Sequence, residues 1–110
     1  MALITLEEAK EYLRVETADE DAMIGILLSS ACKLCADVAR LTDEQWAAVD
    51  SDVSKTDDYT EEELAHIRMV MKPAILYAVA HMYEYRDQAD YHELTLTLRA
   101  ILFSIREGVV

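Results

Sequence analysis

The chain has 110 residues, with 22 acidic and 10 basic side chains for a net charge of -12, 53% apolar residues, two glycines and one proline. That length fits one domain spanning residues 1–110, and the apolar fraction is too high for a disordered acidic tail. Scarce glycine and proline argue against hairpin-rich β folds, Rossmann units and phosphate-cradling loops. An all-α class is left: a compact bundle of about four to five helices, with a long central helix and a Pro-kinked one. The negative charge repels phosphate and disfavours groove-reading nucleic-acid binding.

Four threonines are followed three residues later by Glu or Gln, the spacing at which side chain and backbone satisfy each other's orphan donors at a helix start. Thr5 with Glu8 predicts a first helix to Val15 that buries Leu6, Ala9 and Leu13. Thr17 with Glu20 predicts a second, of about 33 Å, with Ile24, Leu28, Ala31, Cys35 and Val38 forming one apolar stripe. Met23, Leu27 and Leu34 widen that stripe, as in the central element of a bundle. Thr42 with Gln45 predicts a short helix carrying Trp46, followed by a polar acidic loop from Asp50 to Tyr59, the least ordered place expected in the chain.

Thr60 with Glu63 opens the next helix, where Leu64, Ile67, Val70, Met71, Ala74, Tyr77, Ala78, His81 and Tyr85 recur at helical spacing. Pro73 removes one ladder bond and predicts a kink. Asp90 with Glu93 is expected to cap a final helix that buries Leu94, Leu98, Ile101, Leu102 and Ile105 and ends at Gly108. The N-terminus lacks the pattern of a secretory signal, and no apolar stretch is long enough to span a bilayer, so a soluble intracellular protein without membrane partners is expected.

Candidate chemistry is sparse. Cys32 and Cys35 form a C-x-x-C, but mid-helix in an apolar stripe rather than at a helix start, and no second cysteine pair completes a zinc site; they read as core cysteines. Glu63 and His66 form an E-x-x-H without the second copy that a di-iron bundle needs, and His81 with Glu84 reads as a pair on one helix face. No nucleophile motif accompanies the histidines. The sequence thus predicts no catalytic residue, no metal site and no cofactor.

Tyr77, Tyr83, Tyr85 and Tyr91, with Arg86, concentrate late in the chain. Such residues either form a protein interface or close the top of a bundle, and Tyr77 looks the most core-like of the four. Residues 1–63 hold 17 acidic and 5 basic side chains, and residues 64–110 hold 5 of each, so the whole charge excess is N-terminal. Asp57, Asp58, Glu61 and Glu62 form an exposed acidic segment within it.

Three segments resemble the head-tail connector proteins of tailed bacteriophages. They are Ile4 to Val15 followed by Asp19-Glu20-Asp21; Pro73 to Arg86, with its His81-Met82-Tyr83-Glu84-Tyr85-Arg86 run; and Leu98 to Arg106. Trp46 and the long acidic connection from Asp50 to Glu63 depart from the family's pattern. The resemblance implies a non-enzymatic adaptor of a phage or prophage that forms a homo-oligomeric ring of about twelve subunits, since head-to-tail contacts close by rotation. It also implies docking on the portal protein and on the next tail-side protein, passage of DNA through the lumen, and a place at the virion neck after assembly in the host cytoplasm. Tyr83, Tyr85, Arg86, Tyr91 and Arg106 are the interface candidates within the balanced C-terminal half, leaving the acidic half to solvent or the DNA channel. The alternative is a small acidic helical protein that mimics DNA and inhibits a host DNA-binding protein.

Overall fold

The computed structural model describes residues 2–57, 59–85 and 91–106, with Arg106 described by its backbone only. Among the described residues six helices follow in order: α1 (Leu6–Leu13), α2 (Asp21–Val38), α3 (Asp43–Val49), α4 (Glu61–Glu84), α5 (His92–Ile101) and the one-turn α6 (Phe103–Arg106). No strand occurs among the described residues. The all-α class read from composition holds.

Three of the four expected capping boxes form. Thr5 accepts the Glu8 amide at 3.1 Å while Glu8 accepts the Thr5 amide, and Thr42 with Gln45 and Thr60 with Glu63 repeat the arrangement. The fourth does not. Glu20 is itself the N-cap of α2 and makes no capping bond, because its carboxylate accepts the Tyr83 hydroxyl at 2.6 Å instead of reaching back to Thr17. α2 is therefore 18 residues long, about 27 Å rather than 33 Å.

With so little glycine in the chain, arginines end the first two helices. Arg14 (φ 61°) and Arg40 (φ 60°) both take the left-handed conformation. The amides of Val15 and Leu41 then turn back onto the carbonyls of Lys10 and Ala36, at 2.9 and 3.0 Å, so the last-turn carbonyls are satisfied.

α4 runs through Pro73 as one helix of 24 residues. Pro73 lies on its exposed side, so the Met69 carbonyl that loses its ladder partner can be solvated there. The last predicted helix is two: the helical assignment lapses at Leu102, which is buried, while Ile101 is exposed and Ile105 half-buried. Tyr91 is the N-cap of α5 and makes no side-chain capping bond; Asp90, expected to cap this helix, and Gly108, expected to end it, lie outside the described residues.

α2 and α4 form the central pair, with α1 and α5 packed on both and α3 against α4. Ala31 and Cys35 on α2 and Ala39 at its C-cap recur every four residues, and Ala74 and Ala78 do so on α4; all five are buried. Small residues at these positions let the two helices approach closely, and Leu64, Met71, Ile75, Leu94, Leu98 and Leu102 fill the core around them. Of the residues expected inside α1, Ala9 is fully buried and Leu6 and Leu13 partly so. Among the described residues no single helix is long and apolar enough to cross a membrane.

Long-range polar bonds fasten the elements. Lys10 meets Asp21 at 2.7 Å, joining α1 to the start of α2, and Lys72 meets Glu8 at 2.6 Å, joining α4 to α1. The Leu3 amide donates to Asp50 at 2.8 Å. Arg68 on α4 donates to the carbonyls of Ala48, Val49, Ser51 and Val53 at 2.8–3.0 Å, binding the end of α3 and the first part of the acidic connection. A guanidinium placed there also complements the negative end of the α3 dipole.

Candidate assembly surfaces

The predicted chemical motifs resolve into packing. Cys35 is buried and Cys32 partly so, both as free thiols. Desolvation pushes Cys32 up to about 11, with a contribution from Asp50, and Cys35 up to about 12, with one from Cys32. Both thiols are protonated at neutral pH, the reverse of a redox pair. In the E-x-x-H, Glu63 is committed to the Thr60 amide at 3.0 Å and His66 faces Ser104 on α6 at 3.4 Å. Among the described residues no group of three or more His, Cys, Asp or Glu could hold a metal ion. His81 does not pair with Glu84: its ring lies against Tyr85 in a tilted contact, with centroids 4.9 Å apart and planes at 44°, and its Nδ1 is buried without a hydrogen-bond partner among the described residues.

The late tyrosines separate into different environments. Tyr83 is half-buried and bound to Glu20, and Tyr91 is half-buried against the core. Tyr77, expected to be the most core-like, is 41% exposed, and Tyr85 is 42% exposed. The reason lies in α4's geometry: Leu64, Met71, Ile75, Ala78 and Met82 define the buried side, and Tyr77 falls well around the helix from it. Arg86 lies outside the described residues, and so does Asp58; the Arg106 side chain does too, its backbone closing α6. Asp57, Glu61 and Glu62 are exposed around the start of α4, with Glu61 and Glu62 in its first turn, where the dipole favours carboxylates.

Two surface grooves flank α5. One, of about 660 Å³, is lined by Tyr12 of α1, by Tyr77, Ala80, His81, Glu84 and Tyr85 of the α4 end, and by Glu93, Leu94 and Thr97 of α5. Among the described residues it carries three tyrosines and two carboxylates and no Lys or Arg. The second, of about 390 Å³, is lined by Asp37, Val38 and Arg40 at the end of α2 and by Thr95 and Arg99 of α5. Sequence reading missed Tyr12, Arg40 and Arg99 because these grooves are assembled from separate helices. The left-handed turn at Arg40, hidden by the lack of glycine, was the one local feature that could have drawn attention to that corner.

An all-α bundle with a capped, closely packed centre and tyrosine- and arginine-bearing grooves on its outside belongs to the class of helical binding and assembly proteins. The family model of the phage gp6-like head-tail connector protein matches residues 3–108, and the chain belongs to that family. It is a structural connector protein of the phage head-tail junction, as the resemblance implied. No curated protein and no solved structure matches the chain at a significant level.

Proposed function

We propose that this chain is a single connector domain, without catalytic activity, that closes into a ring of about twelve copies beneath the portal of a phage or prophage head. DNA passes through the lumen without sequence-specific binding, and the ring completes the head after packaging and receives the next tail-side protein. The observation that carries this reading is the family match over residues 3–108. It favours a connector over a DNA mimic, which rests on charge alone.

The charge distribution is compatible with it. An acidic lumen repels transiting phosphates, where a basic one would retain them through counterion release. We assign that role to the acidic segment around Asp57, Glu61 and Glu62, and the subunit contacts to the surfaces around the late tyrosines, including Tyr85. Electron microscopy of the protein with its cognate portal tests the reading: a ring seated on the portal is expected, and a chain that stays monomeric and never binds portal would overturn it. Reversing Asp57, Glu61 and Glu62 to lysine is expected to leave ring assembly intact; loss of the ring with the fold preserved would refute the assignment of the acidic segment.

A further inference from the structure

We infer that neighbouring copies of this chain join through the two flanks of α5, with Arg40 and Arg99 of one copy seated in the groove formed by Tyr12, Tyr77, Glu84 and Glu93 of the next. The inference rests on the ring reading above and supplies its joint.

Charge comes first. Glu84 and Glu93 are exposed on one groove, and among the described residues neither has a cationic partner. Arg40 and Arg99 are exposed on the other, and among the described residues neither has an anionic one. The one carboxylate beside them, Asp37, is engaged by Lys33 at 3.1 Å. Among the described residues, two uncompensated carboxylates and two uncompensated guanidinium groups thus occupy separate grooves of the same molecule.

The direction of the grooves decides who the partner is. On α5 the acidic groove takes Glu93 and Thr97, and the basic one takes Thr95 and Arg99. Residues two apart on a helix point roughly 160° away from each other, at about 100° per residue. The grooves therefore lie on opposite flanks of α5, and with that helix between them one copy cannot bring its own arginines to its own glutamates. A second copy can, by a head-to-tail contact in which two different faces of the same chain meet, the kind of contact that closes into a ring.

The acidic groove is also chemically suited to guanidinium. Tyr12 (51% exposed) and Tyr77 (41%) offer ring faces on which a guanidinium plane can stack, and the two carboxylates offer acceptors. At Arg40 the left-handed backbone conformation ends α2, in the corner where the basic groove is formed.

The test is a charge swap read by sedimentation velocity over a range of concentrations and by electron microscopy on the cognate portal, with circular dichroism to establish the fold of each variant. R40E/R99E alone and E84R/E93R alone should each weaken self-association by at least about tenfold, because like charges then meet at the joint. R14E/K55E, which makes the same change in net charge as R40E/R99E at exposed positions that line neither groove, should leave it unchanged. Combining R40E/R99E and E84R/E93R in one chain should restore assembly, and so should mixing the two separate variants, since each then offers the face the other lacks. If the wild-type chain forms its ring and both swaps do so equally well, the joint is refuted while the ring reading stands. If the wild-type chain forms no ring even on portal, the ring reading fails and the joint fails with it.

Discussion

The Tyr83 hydroxyl donates to the Glu20 carboxylate at 2.6 Å, across 63 residues of sequence. This bond joins the last turn of α4 to the first residue before α2, and it takes from Thr17 the side chain that its spacing had promised. A charge-assisted bond of this kind, partly screened by solvent, contributes about 1–2 kcal/mol. Tyr83→Phe is expected to lower the unfolding free energy by that amount, and so Tm by several degrees, with Thr17→Ala nearly silent. Thermal melting of both variants checks it; a Thr17→Ala loss equal to that of Tyr83→Phe would show that α2 is capped from Thr17 after all.

Glu8 serves two partners at once, accepting the Thr5 amide at 3.1 Å and the Lys72 ammonium at 2.6 Å. The bond from Lys72 and then that from Thr5 hold its carboxyl below the usual value of 4.5. A carboxylate whose folded value is depressed adds stability above its unfolded value and loses it as the pH falls through the folded one. Urea titrations from pH 7 to pH 3 should therefore show the gap between wild type and Glu8→Gln at its widest near neutrality and narrowing below the usual value. A gap that stays constant across the range would refute the assignment.

Arg68 holds four backbone carbonyls, those of Ala48, Val49, Ser51 and Val53. Arg68→Met keeps the aliphatic stem but takes the guanidinium donor from the part-buried carbonyls of Val49 and Ser51, while Ala48 keeps its bonds from Ser51, at a cost of about 2–3 kcal/mol. Arg68→Lys should recover only a minor part, because one compact ammonium cannot span the set that a guanidinium fork reaches. The urea midpoint gives the stability loss. Amide hydrogen exchange over residues 50–57 should rise in both variants, and unchanged exchange there would show that the connection is fixed by something else.

Cys32 and Cys35 should be inert while the protein is folded, since burial keeps both as thiols with values of about 11 and 12. Alkylation at pH 8 followed by mass spectrometry is expected to leave both unmodified in buffer and to label both in strong denaturant. Rapid labelling of the native protein would place a thiolate where the packing has none.

Local interactions account for what could be read in the sequence alone. A capping box is complete within four residues, so Thr5, Thr42 and Thr60 announced three helix starts, and the family motif in residues 73–86 needed no folding to be visible. Periodicity also announced which side of α2 is buried, because Ile24, Ala31 and Cys35 repeat at helical spacing. Tertiary structure decided the remainder, wherever a residue's fate depends on a partner far along the chain. Glu20 left its local role for Tyr83, Tyr77 turned outward because eight other α4 residues already fill the side facing the core, and Leu102 went in where Ile101 did not. The grooves beside α5 belong wholly to this second kind, since Tyr12, Glu84 and Glu93 meet only when α1, α4 and α5 pack, and Arg40 and Arg99 only when the end of α2 lies beside α5. Helix propensity and capping are encoded over a few residues, whereas a surface is set by which helices become neighbours.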